Sequence, residues 1–495
     1  MRRKILIVAA VLTTVAFIVT RLRPPVVAPP PPPLETAPTG AAWPKPKPYT
    51  PRSPKEPKPP NIVLIVIDTL RCDHLGCYGY SRETTPSLDK LAAQGLRADG
   101  MIATCSWTIP SLMSIFTSLP PSLHQATFKT RVAPGITTLA DELHGHGYHT
   151  AGFASNPFAK SSNGFAVGFD LYTDFDGLVN SDRDDLLNVP GTSKLPPLWE
   201  MRSSPLVTQL ASQWLDGQNK TEPFFLFALY FDAHADYVPQ PPYDTLFDPD
   251  YHGAAKGNLL SVPNPKADDR DRAHIQALYD GEVRYTDDFV GKLIEKIDAL
   301  GFSNDTLVVI TSDHGEEFWD HGHTLHGPTL YDEVLRVPFI LRWPGHVKPG
   351  TVLNGQLSTL NIMPSLLEAA GARIPVQAQS PSVLQALLGT SALETQLAVA
   401  ETDYEGVNRR AIRSATRKLV FDLDAKTRQI FDLASDPKEL KNRDAQPPAD
   451  TAELGAAYDA WAKSVETLRS SMEPARDNDS DQRTLEQLKQ LGYGH

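Results

Sequence analysis

The sequence predicts an α/β fold, a mostly parallel central sheet with helices on both faces, joined to a small C-terminal α+β subdomain with an antiparallel sheet. Three observations carry this. The run NIVLIVIDTL from Asn61 is apolar, rich in β-branched residues and of strand length, the pattern of a central parallel strand buried on both faces. Similar runs recur at PFFLFALYF and DTLVVITSD, with helical patterns between them, so strands alternate with helices. Past about residue 405 the texture changes to AIRSATRKLVFDLDAKTRQIFDL, two short strands around DLDAKTR that read as a hairpin.

Taken in order, Met1 to Lys4 is basic, Ile5 to Thr20 is apolar apart from a few Thr, and Arg21 and Arg23 close the run. That is a targeting segment. Sixteen positions fall slightly short of the roughly 17–25 that span a bilayer, and no small-x-small cleavage site follows. The expectation for residues 1–23 is an uncleaved signal anchor, with a removed signal peptide and secretion as the alternative. From Pro24 to Pro60, 16 of 37 residues are proline, so residues 24–60 form an extended linker. Order begins at Asn61. TTPSLDKLAAQG has a Thr/Pro start and a Gly stop, and HIQALYDGEVRYTDDFVGKLIEKIDALG has apolar residues at helical spacing. The expected boundaries are 61–405 for the large domain and 406–495 for the subdomain and tail, with a polar linker before a last short helix at RTLEQLKQLG.

Composition excludes some classes. The net charge is -12, and residues 1–60 carry ten Lys/Arg against two Glu, which leaves -20 for the rest. Nucleic acid is therefore not an expected partner. Cys72, Cys77 and Cys105 are an odd set without metal-type pairing, so neither a disulfide framework nor a zinc-thiolate site is indicated. Free core residues are expected, with a Cys72–Cys77 pair in an oxidising compartment as the alternative.

Chemistry is expected at the carboxyl ends of the strands, where open α/β sheets bind ligands. Asp68 follows IVLIVI, and Asp313 with His314 follows LVVITS. One such Asp could simply cap a turn. Two, the second continuing as HGEEFWDHGHTLHG, point further: His314, His321, His323 and His326 stand with Glu316, Glu317 and Asp320 among glycines. Oxygen and imidazole ligands together suit a divalent cation such as Mn, Zn, Mg or Ca. Spacing does not choose among the histidines.

The stretches NIVLIVIDTLRCDHLGCYGYSRETTPSLDKLAAQG, SWTIPSLMSIFTSLPPSLH, PFFLFALYFDAH and DTLVVITSDHGEEFWDHGHTLHGPTLYDEVLRVPFILRWPG resemble, in order, the motifs of the sulfatase family within the alkaline phosphatase superfamily. The resemblance continues through STLNIMPSLLEAAG and FDLASDPKELKN to Asn442, and the closing LKQLGYGH is also similar. It implies an alkaline-phosphatase-like α/β/α sandwich and a metal-dependent ester hydrolase with Asp68, Asp313 and His314 as ligands of one divalent ion. Such sulfatases oxidise a Cys or Ser in Cys-x-Pro-Ser-Arg to formylglycine. Cys105 lacks that context; Pro110-Ser111 aligns instead, which puts Thr108 at the modified position, on the metal and as nucleophile, and Leu112 at the Arg. No formylglycine is expected. By the same resemblance His326 would bind the anion and His234 would give a proton to the leaving group. Thr69 replaces a second Asp, and a Gly-Lys-x-His element is missing where Asn156 stands, as in the threonine-nucleophile branch that includes lipoteichoic acid synthases. Arg71 and Asp73 are candidate helpers near the site, with surface salt bridging as the more economical reading of both.

Threonine has a chemical consequence. Formylglycine hydrate expels sulfate through its second hydroxyl, whereas a sulfated threonine needs direct attack at sulfur. A phosphorylated threonine turns over more readily beside a cation that neutralises phosphoryl charge and lowers the pKa of an attacking oxygen. The expected activity is hydrolysis of a sulfuric or phosphoric/phosphonic ester of a small molecule, glycan or lipid, tilted toward phospho-esters. Transfer to an acceptor in an envelope glycan or lipid, and a catalytically silent anion-binding protein, are the alternatives. The anchor and linker place the expected reaction on a membrane, facing the periplasm or cell exterior.

Overall fold

β1 (Asn61–Ile67) is buried along its whole length, and its side chains alternate as a pleated strand requires. Ile62, Leu64 and Val66 enter one hydrophobic core, and Val63, Ile65 and Ile67 enter another on the opposite face. Each such side chain contributes roughly 1.5–3 kcal/mol by leaving water, which is why this segment takes the middle of a sheet covered on both sides.

The structure is a computed structural model that describes residues 58–179, 203–259 and 267–477, all within one unit, Ala37–His495. The central sheet continues with β2 (Leu96–Ile102), β3 (His149–Ala154), β4 (Leu171–Thr173), β5 (Phe224–Tyr230) and β6 (Thr306–Thr311). A small hairpin, β7 (Glu317–Phe318) and β8 (Thr324–Leu325), precedes β9 (Arg336–Val337), β10 (Phe339–Arg342) and β11 (Thr351–Ser358). The order across the sheet is β11-β2-β10-β6-β1-β5-β3-β4, with β9 beside β2. β10 pairs antiparallel with β6 and β2, β9 pairs antiparallel with β2, and the remaining pairs are parallel. The expected mostly parallel sheet is therefore present.

Helices cover both faces. α1 (Pro86–Gln94) starts after Thr85 and stops at Gly95 as its sequence predicts. A Cβ at residue 95 would lie 2.1 Å from the Leu341 carbonyl oxygen, so the approach of β10 requires glycine. On the other face lie α2 (Thr108–Thr117) and α3 (Leu139–Gly145). α4 (Ser204–Asp216) and α5 (Asp269–Ala299) share α1's core. α5 begins five residues ahead of the predicted pattern, at a capping box formed by Asp268 and Asp271. Its Asp287 accepts from the Ser87 and Leu88 N–H groups at 2.8 and 2.9 Å, which caps α1 from a neighbouring helix. α6 (Ile362–Ala370) completes the α2 side.

The C-terminal part is a four-stranded antiparallel sheet, β12 (Ala398–Thr402), β13 (Arg409–Arg413), β14 (Arg417–Asp422) and β15 (Thr427–Asp432). β14 and β15 are the expected hairpin; β12 starts ahead of residue 406. α7 (Thr451–Ser471) packs on this sheet through Leu454. The expected anchor over 1–23, the linker up to residue 57 and the helix at RTLEQLKQLG lie outside the described residues. Among the described residues no helix is long and apolar enough to cross a membrane. Cys72, Cys77 and Cys105 are free, Cys77 half-buried and the other two buried.

Candidate active site

β6, β1 and β5 are neighbours running in one direction, so their carboxyl ends open side by side. Asp68 follows β1, Asp313 and His314 follow β6, and His234 follows β5. Turns hold these ends in place. Thr69 takes φ 53, and its hydroxyl donates to the Ala233 carbonyl at 2.9 Å. The Leu70 N–H donates to Ser312 Oγ at 3.0 Å. Thr108 arrives from the β2 side as the first residue of α2, and Ser111, one turn on, donates to the Asp313 carbonyl at 2.5 Å.

The four residues meet. Thr108 Oγ1 lies 3.3 Å from His314 Nε2, which is 3.7 Å from Asp68 Oδ1 and 3.5 Å from Asp313 Oδ2. One donor atom each from Asp68, Asp313 and His314 falls within 4.8 Å of the others, and all three side chains are fully buried. His314 Nδ1 is 2.9 Å from the Gly315 carbonyl, which can only accept, so Nδ1 carries a proton and Nε2 is the nitrogen turned to the carboxylates. Asp68 Oδ1 and Asp313 Oδ2 are buried with no hydrogen-bond partner among the described residues. Burial, with the Asp313 charge next, pushes the Asp68 carboxyl well up, and burial lifts Asp313 to about 7. Two orphaned carboxylate oxygens and an imidazole nitrogen converging on one point fit a divalent cation.

Around this point stand residues that sequence reasoning left without a role. Asn156 donates its amide to Asp68 Oδ2 and is oriented by the Phe158 N–H, which donates to its Oδ1 at 2.7 Å. Glu316 is fully buried between His326 Nδ1, 2.9 Å from its Oε1, and the Tyr237 hydroxyl, which donates to Oε2 at 2.7 Å. Glu316 sits in the histidine-rich stretch and was legible as a candidate; Tyr237 carries no local signal. Arg71 corrects an expectation. Its guanidinium is buried, donating to Asp73, Asp320 and the Glu316 carbonyl, because the loop after β6 folds over it.

Of the four histidines in HGEEFWDHGHTLHG, the structure brings His314 and His326 together, with ring centroids 4.4 Å apart. His321 instead meets Glu333 and stacks on Tyr331, and His323 is exposed. His234 lies edge-on to His326 at 4.9 Å. Its Nδ1 is 2.7 Å from the Ala235 carbonyl, so that nitrogen carries the proton and Nε2 is the acceptor. Burial, then the neighbouring His326, takes His234 down to about 3, and burial with His314 takes His326 well below its usual value. Both rings are neutral at pH 7. Cys105 is fully buried, which pushes its thiol well up and away from reactivity.

The Sulfatase family model matches residues 60–372, and a model described as N-sulphoglucosamine sulphohydrolase, C-terminal, matches residues 321–455. An ulvan-active sulfatase of Formosa agariphila is 26% identical over 413 residues, covering 79% of this chain and 78% of its own length. A solved structure in complex with its substrate D-glucosamine-2-N,6-O-disulfate superposes with TM-score 0.69 at 20% identity, covering 83% of this chain and 98% of that one. The phosphonate monoester hydrolase of Agrobacterium radiobacter superposes with TM-score 0.65 at 20% identity, covering 83% and 96%.

Proposed function

From its membership of the sulfatase family, to which this chain belongs, we propose that the protein is a metal-dependent hydrolase that cleaves a phosphoric or phosphonic ester of a sugar through Thr108. The observation that carries the reading is the Thr108 hydroxyl 3.3 Å from His314 Nε2, at the edge of a trio with two orphaned carboxylate oxygens. Asp68, Asp313 and His314 would hold the ion with Thr108, and when bound a divalent cation would lower the pKa of an oxygen beside it and neutralise charge on the ester.

The chain's own residues do the rest. Thr108 stands at the amino end of α2, where unpaired N–H groups and the helix dipole favour an anion. Its Oγ1 forms the bond to phosphorus as the bond to the departing alkoxide breaks. The net proton movement is from the Thr108 hydroxyl to the departing alcohol. With Nε2 as acceptor, His234 receives a proton before it gives one, so it serves as carrier rather than as a standing acid. Glu316 holds His326 through Nδ1 and supports a second proton on that ring when an anion binds. Water then attacks the Thr108 ester, releasing the phosphoric or phosphonic acid and restoring the hydroxyl. Residues 1–23 would tether this reaction to a membrane, with residues 24–60 as spacer.

A second reading, hydrolysis of a sulfuric ester of a sugar, is favoured by relatives named as sulfatases and by the similar structure solved with D-glucosamine-2-N,6-O-disulfate as its substrate. The test presents aryl phosphate, phosphodiester, phosphonate and sulfate esters to the full chain with Mn, Zn, Mg or Ca, with and without Cys105→Ala. Turnover of phospho-esters above sulfate esters, unchanged in Cys105→Ala, is expected. Turnover of sulfate alone and its loss in Cys105→Ala would overturn the reading; no turnover and no metal uptake would mark a silent anion-binding protein.

A further inference from the structure

We propose that Arg71 is a positioning residue: its guanidinium holds the β7–β8 hairpin against the turn after Asp68 and so sets where His326 stands beside His314. The inference rests on the reading of His326 as the ring that takes the anion of the ester. The residues after Asp68 reach three other loops. Thr69 donates to the Ala233 carbonyl, beside His234; the Leu70 N–H donates to Ser312, beside Asp313; and Arg71 reaches Glu316 and Asp320, between His314 and His326. All five guanidinium N–H donors are used. Nε and Nη2 donate to the two Asp73 oxygens at 2.9 and 2.8 Å, Nη1 and Nη2 to the two Asp320 oxygens at 2.8 and 3.2 Å, and Nη1 to the Glu316 carbonyl at 3.0 Å. A side chain 6% exposed with every donor taken by forked, charge-assisted bonds is fixed in place.

These contacts bracket β7. Glu316 directly precedes the strand, and Asp320, just beyond it, also accepts the Phe318 N–H at 2.9 Å. The hairpin needs such a hold, since each strand has two residues and a two-stranded ribbon is marginal by itself. Trp319 and Leu325 take φ 62 and 70, left-handed conformations that bulky side chains disfavour and that persist where the surroundings over-determine them. Leu325, the last residue of β8, pairs with Glu317 and is followed by His326. What fixes β7 therefore fixes His326, whose ring lies 4.4 Å from that of His314 and whose Nδ1 meets Glu316. The turn after Asp68 has its own supports. Tyr279 on α5 accepts the Arg71 N–H and donates to the Thr69 carbonyl, at 3.0 and 2.9 Å, and Ser312 takes the Leu70 N–H. Asp68 thus keeps its place without the guanidinium, whereas the hairpin loses its hold. The two acidic partners differ in the same way: Asp320 belongs to the hairpin, and Asp73, 57% exposed, to the loop of Arg71 itself.

The test is calorimetric titration of the full chain with inorganic phosphate and with sulfate, with and without Mn, Zn, Mg or Ca, in wild type, Arg71→Lys, Asp320→Ala and Asp73→Ala. Circular dichroism checks the fold, and the stability gained on adding cation reports the Asp68, Asp313 and His314 seat. Lysine keeps the charge but is a point donor that cannot bridge two carboxylates in parallel. The anion Kd is expected to rise about 10-fold in Arg71→Lys and Asp320→Ala and by less than about 2-fold in Asp73→Ala, with the cation gain kept in all. Equal loss in the two aspartate variants, as a merely structural ion pair would give, or an unmoved Kd in Asp320→Ala, overturns the inference and leaves the proposed function standing. If Arg71→Lys does not fold, the contrast between Asp320→Ala and Asp73→Ala decides. A wild type that binds anion but gains nothing from any cation overturns the cation seat, and the same contrast still judges Arg71. A wild type that binds neither anion overturns the role of Arg71 together with the reading of His326.

Discussion

Two clusters of buried charge bracket the segment from Gly315 to Tyr331, and they solve the same problem in opposite ways. Beyond Tyr331, Lys418 is fully buried with Nζ 3.0 Å from Asp332 and 2.9 Å from Glu439, and Arg413 adds a contact to Asp332 at 2.9 Å. Burial works to raise both carboxylates: Lys418 and then Arg413 hold Asp332 well below the usual range, whereas burial, against Lys418, lifts Glu439 to about 7. Before Gly315, Asp68 and Asp313 are equally buried, yet each keeps an oxygen without a partner and both are pushed up rather than down. Carboxylates that the chain pairs with its own cations tie the C-terminal sheet to the large sheet. Carboxylates it leaves open converge with an imidazole, an arrangement that fits a cation from outside.

Ways to break this contrast can be ranked by effect. Thr108→Ala is expected to lower kcat/KM by at least about 10³-fold with the fold intact by circular dichroism, since it removes the hydroxyl proposed as nucleophile. Lys418→Met leaves Glu439 buried without its cation and Asp332 with Arg413 alone, and should cost about 3–5 kcal/mol in urea unfolding, far more than a surface pair would. His124 sharpens the comparison with a neutral buried group. Its Nδ1 accepts from the Ala126 N–H and its Nε2 faces the Pro110 carbonyl, at 3.1 and 3.0 Å, and burial takes it down to about 3. A depressed histidine stabilises fully above its unfolded pKa near 6.5 and loses that contribution as pH falls toward 3. At pH 4 the loss is about 3 kcal/mol, so His124→Gln should show a correspondingly shallower acid limb. Glu316→Ala, which frees His326, is expected to reduce kcat/KM about 10- to 100-fold with a smaller change in KM; loss confined to stability would assign Glu316 to packing.

Much of the fold was legible because apolar pattern and burial coincide. β1, β5 and β6 are fully buried runs, and α1 has both its end signals. β2 was not legible. LRADGMI is short and weakly apolar: Leu96 and Ala98 face the core, Arg97 and Asp99 pair with each other on the other face, Gly100 breaks the alternation, and the strand is made by its neighbours β10 and β11. At the site, an Asp after a buried strand announced Asp68 and Asp313, since the sheet fixes where strand ends lie. Tyr237 and the burial of Arg71 were not legible, because each depends on a distant loop closing over it and neither has a local pattern. The choice of His326 over His321 and His323 came from resemblance; the fold makes it through the β7–β8 hairpin, which turns His326 back against His314.

The central claim is that the open cluster is a seat for a divalent cation, and unfolding of wild type beside Asp313→Asn, with chelator and with added Mn, Zn, Mg or Ca, tests it most directly. Without cation, Asp313→Asn removes a buried, unpaired charge at neutral pH and should be as stable as wild type or more so. With cation, wild type alone should gain stability, by about 2.7 kcal/mol at a hundredfold excess over Kd. A wild type unmoved by every cation, or an Asp313→Asn protein that is weaker without cation and gains as much with it, would contradict the account.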